Sequence, residues 1–151
     1  QVEPISQVQD IDNVVAISAR VNGYTGLTSD SFAVSWGRNW RGVLFDEPKV
    51  RELPEPALQL GASDDTQCIL YASGRVGCWG VHRGIDEPPS DTIAYVEHLE
   101  DVVEISDGRS VNHFCARRAN DEIWCWGDNS FGQLGTGTRD RHLEPVRVQG
   151  L

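Results

Sequence analysis

The dipeptide Trp-Gly occurs three times, at Trp36-Gly37, Trp79-Gly80 and Trp126-Gly127, at intervals of 43 and 47 residues. A short run rich in apolar residues stands ahead of each: Val14-Val15-Ala16-Ile17, Ala57-Leu58-Gln59-Leu60 and Val102-Val103-Glu104-Ile105. The last residue of each run precedes its Trp by 19, 19 and 21 residues. Two landmarks that keep register three times mark an internal repeat, and a repeat of this length restricts the chain to a stack of similar supersecondary units. Pro4-Ile5 heads the pattern and Pro145-Val146 restarts it 141 residues later, which makes three units averaging 47 residues. The units are read as 4–47, 48–91 and 92–144, with 145–151 as the opening strand of a further unit, all within a single domain spanning 1–151.

Each unit consists of short apolar pieces bounded by Gly, Asp, Asn and Ser, and none sustains a 3.6-residue apolar period. With 15 Gly and 7 Pro in 151 residues, turns dominate over long helices. Units of this length holding several short strands predict an all-β chain of β-propeller blades. The central hairpin is legible in two units. Gln67–Tyr71 and Arg75–Trp79 flank Ala72-Ser73-Gly74, and Phe114–Arg118 and Glu122–Trp126 flank Ala119-Asn120-Asp121. Gly, and less readily Asn or Asp, tolerates the left-handed backbone that a three-residue hairpin loop requires.

The third unit reads His113-Phe114-Cys115-Ala116, then Ile123-Trp124-Cys125-Trp126-Gly127-Asp128-Asn129-Ser130-Phe131-Gly132-Gln133-Leu134-Gly135. The run Trp-Gly-x-Asn-x-x-Gly-Gln-Leu-Gly resembles the regulator of chromosome condensation repeat family, in the manner of a secreted bacterial-type member. Unit one keeps Asn39, Gly42 and Leu44 of the motif. Unit two lacks the Asn in Trp79-Gly80-Val81-His82-Arg83-Gly84. The resemblance implies four-stranded antiparallel blades around a central channel, with loops that engage partner proteins. It also implies structural roles for the motif: Trp packed between blades, Gly at a sharp turn, Asn129 satisfying loop amides.

Cys68 and Cys78 are ten residues apart, and so are Cys115 and Cys125. On the hairpins above, each pair stands directly opposite across two strands, at a separation a disulfide accepts. Unit one has Thr25 and Ser35 at the two equivalent positions, so the pair is absent together. Two disulfides, Cys68–Cys78 and Cys115–Cys125, are expected, and with them an extracellular, periplasmic or cell-surface location. The competing reading is four small buried thiols in a reducing cytosol. Structural zinc needs closer Cys spacing.

The net charge of −10 repels phosphate backbones, so nucleic-acid binding is not expected. No apolar run approaches the length of a membrane helix. The chain contains no Met and opens on Gln1, which reads as a processed chain, a fragment or a trimmed one. The four His, His82, His98, His113 and His142, have no metal-ligand spacing, and no catalytic motif or cofactor signature stands out. The expected function is a non-enzymatic protein-binding or assembly module. The alternatives are a guanine-nucleotide exchange factor-like regulator of a small GTPase, or the non-catalytic propeller part of a larger enzyme. Candidate partner-binding residues lie in the loops after Trp-Gly: Arg38, Trp40, Arg41, His82, Arg83 and Phe131. For Trp40 and Phe131, packing between blades competes with partner contact. Three units cannot close a ring. The blades therefore belong to a longer propeller or associate as copies through open edges.

Overall fold

The computed structural model describes residues 11–20, 22–38, 41–81, 83, 88, 90–107 and 112–150. They form twelve strands: β1 (Val14–Arg20), β2 (Gly23–Thr28), β3 (Phe32–Arg38), β4 (Leu44–Glu52), β5 (Ala57–Ala62), β6 (Thr66–Tyr71), β7 (Val76–Gly80), β8 (Ser90–Tyr95), β9 (Val102–Asp107), β10 (His113–Arg118), β11 (Ile123–Gly127) and β12 (His142–Arg147). Four consecutive antiparallel strands make each of three sheets, β1–β4, β5–β8 and β9–β12, here called blades one, two and three. The first strands are neighbours, with β5 between β1 and β9.

The same local chemistry builds each blade. The third residue of each hairpin loop is left-handed: Ser31 (φ 65°), Gly74 (φ 78°) and Asp121 (φ 66°). Its amide donates to the carbonyl three residues back, at 3.1, 3.0 and 2.9 Å. The ladder shifts register at each Trp of Trp-Gly. The following Gly has φ of +87°, +110° and +105° at 37, 80 and 127, and a Cβ there would lie within 2.5 Å of the carbonyl oxygen of Asn22, Asp65 or Asn112. Those carbonyls accept the amides of Arg38, Val81 and Asp128, at 2.7, 3.1 and 2.9 Å. Trp-Gly is thus a bulge that only Gly can close.

Blades stack by unlike faces. Blade two turns Cys68, Leu70, Val76 and Cys78 toward Phe114, Ala116 and Trp126 of blade three, in one buried cluster. It turns Ile69, Tyr71 and Trp79 toward Leu27 and Ala33 of blade one, in another. With both faces covered, all six residues of β6 are buried. A strand covered on both sides loses the usual alternation of buried and exposed residues.

Pro145–Arg147, in the segment expected to open a further sequence unit, lies within β12, the outer strand of blade three, with Cys125 opposite Val146 and Trp124 opposite Arg147. Likewise Pro48-Lys49-Val50, the head of the second sequence unit, lies in β4 of blade one. Sequence unit and blade are out of phase by one strand, because the repeat landmarks mark positions in the chain and not the hydrogen-bonded neighbour.

Candidate interaction surfaces and the inter-blade cleft

Both cysteine pairs stand opposite in their hairpins, Cys68 against Cys78 and Cys115 against Cys125. Their sulfurs are 2.11 and 2.09 Å apart, and the chain has no free cysteine. In blade one the matching positions hold a hydroxyl pair, Thr25 Oγ1 and Ser35 Oγ, hydrogen-bonded at 3.1 Å.

The loop after Trp126-Gly127 is ordered by one side chain. Asn129 is fully buried. Its Nδ2 donates to Thr136 Oγ1, Thr138 O and Asp140 O, at 3.3, 3.1 and 2.9 Å, and its Oδ1 accepts the amide of buried Leu134 at 2.9 Å. Asp128 accepts the Ser130 hydroxyl at 2.7 Å and Gln133 Nε2 at 2.7 Å. The Ser130 hydroxyl chiefly holds the Asp128 carboxyl below its ordinary pKa; partial burial opposes this and Gln133 adds to it. On this fixed loop Phe131 is 84% exposed, so it is not packed between blades. Arg38 and Arg41 are also exposed, and Arg41 lies 3.9 Å from Asp91. Arg83 is buried, and its Nη2 donates to Pro88 O at 2.6 Å. Trp40 and His82 lie outside the described residues.

The Trp positions are also unequal. Trp126 and Trp79 are buried, whereas Trp36 is half-buried. Phe114 and Trp126 stack at 5.7 Å and 18°, under blade two. Tyr24 and Trp36 make the same stack at 5.7 Å and 20°, on the face of blade one that points away from blade two. Cross-strand register puts Ile17, Gly26, Val34 and Val50 on that face as well. On it Tyr24 is 46% exposed, Ile17 61% and Val50 62%, while Val34 and Gly26 are buried. Blade three presents the opposite kind of face: Cys115, Arg117, Ile123 and Cys125, fringed by the Arg117–Glu104 and Arg117–Asp121 ion pairs at 3.1 and 3.2 Å.

Between blades one and two lies a cleft of about 360 Å³ that the sequence reading did not find. Its walls include Arg20, Ser35, Phe45, Lys49, Arg51, Gln67, Trp79 and Asp91. Position by position, the cleft replaces apolar packing seen between blades two and three. Gln67 stands where blade three has Phe114, since each pairs with the Trp of its own Trp-Gly. Arg51 stands where blade two has buried Val96, and Ser35 where it has Cys78. Arg20 is 9% exposed, and its Nε and the Nε2 of Gln67 are buried donors with no acceptor among the described residues. Burial lowers the pKa of Arg20, opposed by Asp65; burial likewise lowers that of Arg51, opposed by Asp91 and then Tyr71. The Arg51 guanidinium lies 5.0 Å over the Trp79 ring. The departure of Gln67 from its aromatic counterparts Tyr24 and Phe114 was the available signal.

Among the described residues no group of His, Cys, Asp and Glu could hold a metal ion, and no helix is long and apolar enough to cross a membrane.

Residues 120–151 match the family described as the regulator of chromosome condensation (RCC1) repeat. The E3 ubiquitin-protein ligase HERC2 of Homo sapiens is 25% identical over 164 residues, covering 92% of this chain and 3% of the ligase. The probable E3 ubiquitin-protein ligase HERC6 of Homo sapiens is 32% identical over 141 residues, covering 83% of this chain and 14% of the relative. The chain thus spans a small part of these relatives. Among solved structures, Prp20p of Saccharomyces cerevisiae superposes with a TM-score of 0.81 at 21% identity, over 93% of this chain and 39% of that one. Human WBSCR16 gives 0.79 at 20% identity, over 91% and 40%. With the repeat motif matched over residues 120–151 in blade three and its three sheets superposing on Prp20p, the chain carries a regulator of chromosome condensation repeat and is folded as blades of a β-propeller.

Proposed function

We propose that the chain is a non-enzymatic protein-binding and assembly module of an oxidising, extracytoplasmic compartment. The observation that carries this reading is the Tyr24–Trp36 stack. It repeats the Phe114–Trp126 stack that blade two covers, yet it faces outward. An apolar sheet face of this kind favours association. The face that fits it is the kind blade two offers Phe114, a bonded pair of small residues beside aliphatic ones. A second copy carries a partly covered counterpart on blade three, where Cys115 and Ile123 are half-buried and Cys125 is buried. Copies can therefore join head to tail by the rule that already stacks blades within the chain, and such a heterologous contact closes if the rotation permits. Exposed Phe131, with Arg38 and Arg41, supplies loop residues of the type that dominate binding hot spots. Trp40 and His82 belong to the same proposal by sequence alone. The two disulfides support the compartment.

Prp20p, described for its binding to Gsp1p and histones, supports protein binding through this fold and keeps the reading of a regulator of a small GTPase in view. The ligases HERC2 and HERC6 favour a non-catalytic propeller part of a larger enzyme, which is compatible with a binding role. Light scattering at micromolar concentration tests the assembly reading. The chain should show species of at least twice its own mass, and a strictly monomeric folded chain contradicts it.

A further inference from the structure

We propose that the cleft between blades one and two is a binding site for a small organic acid, with the ligand carboxylate held by Arg20 and Gln67. Both side chains are built into the fold: Arg20 ends β1 and Gln67 sits in the fully buried strand β6. Both leave a buried donor without an acceptor, Arg20 Nε and Gln67 Nε2. A buried donor is ordinarily satisfied, and an unsatisfied one carries its full desolvation cost. The side chains that carry them line the cleft, so an acceptor seated deep in it would answer both.

Charge indicates the same ligand. Three cationic side chains, Arg20, Lys49 and Arg51, meet a single carboxylate, Asp91, on the cleft wall, in a chain whose net charge is −10. The carboxylate of Asp65 acts on Arg20 from outside the wall. A guanidinium edge presents parallel N–H groups that match a planar carboxylate. The ligand body would rest on Trp79 and Phe45, which line the same cleft. The volume of about 360 Å³ is at the small end of the range for small-molecule pockets. The cleft lies between blades one and two, away from the blade-three loop that carries Phe131, while Arg41, 3.9 Å from Asp91, stands at its edge.

Thermal melting and Trp fluorescence of the whole chain, titrated with succinate as probe, test the assignment. Inorganic phosphate and potassium chloride at matched ionic strength are run alongside. Succinate should raise the melting temperature and saturate. Arg20→Gln, which removes a buried charge and should fold, is expected to weaken succinate about tenfold or more. Gln67→Phe installs the residue that blade three carries, fills the cleft and should abolish the response while the fold persists. The proposal is overturned if succinate does no more than potassium chloride, if Arg20→Gln binds as the wild type does, or if phosphate binds more tightly than succinate.

Discussion

Phe114–Trp126 and Tyr24–Trp36 are the same object in two surroundings. Both are stacked ring pairs on adjacent strands, with centroids 5.7 Å apart. The first is sealed beneath Cys68, Leu70, Val76 and Cys78 of blade two. The second leaves Tyr24 46% exposed. The difference teaches that burial of the repeat Trp is a property of the neighbouring blade and not of the repeat. Trp79 makes the point from between the two: its strand partner is Gln67, it lies beneath a blade with a hydroxyl pair in place of a disulfide, and beside it is a cleft. Each blade thus brings one face to its predecessor and another to its successor, and the quality of an interface depends on both.

Truncating the two stacks should break this comparison most visibly. Trp126→Ala is expected to cost about 3–5 kcal/mol, as for buried aromatics generally. Trp36→Ala, measured by denaturant unfolding at high dilution, should cost only about 1–2 kcal/mol, because less area leaves water. Equal losses would mean that the exposed stack is buried in solution or that the sealed one is not.

The disulfide and hydroxyl pairs give the next effect. Each disulfide closes a loop of about eleven residues and should stabilise by about 3 kcal/mol in the entropy model. Replacing Cys115 and Cys125 together by Thr and Ser imports the blade-one pair and should lose most of that. The reverse exchange, Thr25→Cys with Ser35→Cys, should add a comparable amount in an oxidising buffer. No gain, with the new bond verified by peptide mapping, would show that blade one does not share the hairpin geometry of its neighbours.

Asn129→Ala separates loop order from blade packing. Four hydrogen bonds converge on this buried side chain, and leaving their partners unsatisfied should cost about 2–4 kcal/mol in total. The stack of Phe114 on Trp126 should survive, so near-ultraviolet circular dichroism should change little. The smallest effect is on pH. The Asp128 carboxyl is held below its ordinary pKa in the folded loop. Its stabilisation is therefore present above the unfolded value and is lost as pH falls through the folded one. Amide resonances of Ser130 to Leu134 should shift in acid in the wild type and not in Asp128→Asn.

The hairpins, their left-handed third residue and the Cys pairing were legible in the sequence, because they depend on residues within about ten positions of one another. Trp-Gly was legible too, since its Gly closes a bulge onto a carbonyl of the same hairpin. The blade boundaries were not. Pro145-Val146 repeats Pro4-Ile5 in sequence, but hydrogen bonding decides that Val146 lies opposite Cys125. The burial of Arg83 and the cleft of Arg20 and Arg51 were likewise hidden. Each depends on which surfaces meet, and Gln67 in the place of Phe114 announced it only once the blades could be overlaid.

Sedimentation velocity of the wild type beside Tyr24→Glu, at rising concentration, bears on the central claim that the open stack of blade one takes another blade. Tyr24 is half exposed, so the substitution should leave the fold intact while setting a charge on the contact face. The account predicts that the wild type associates and that Tyr24→Glu sediments as a folded monomer. A wild type that stays monomeric throughout, or a variant that associates equally well, would contradict it.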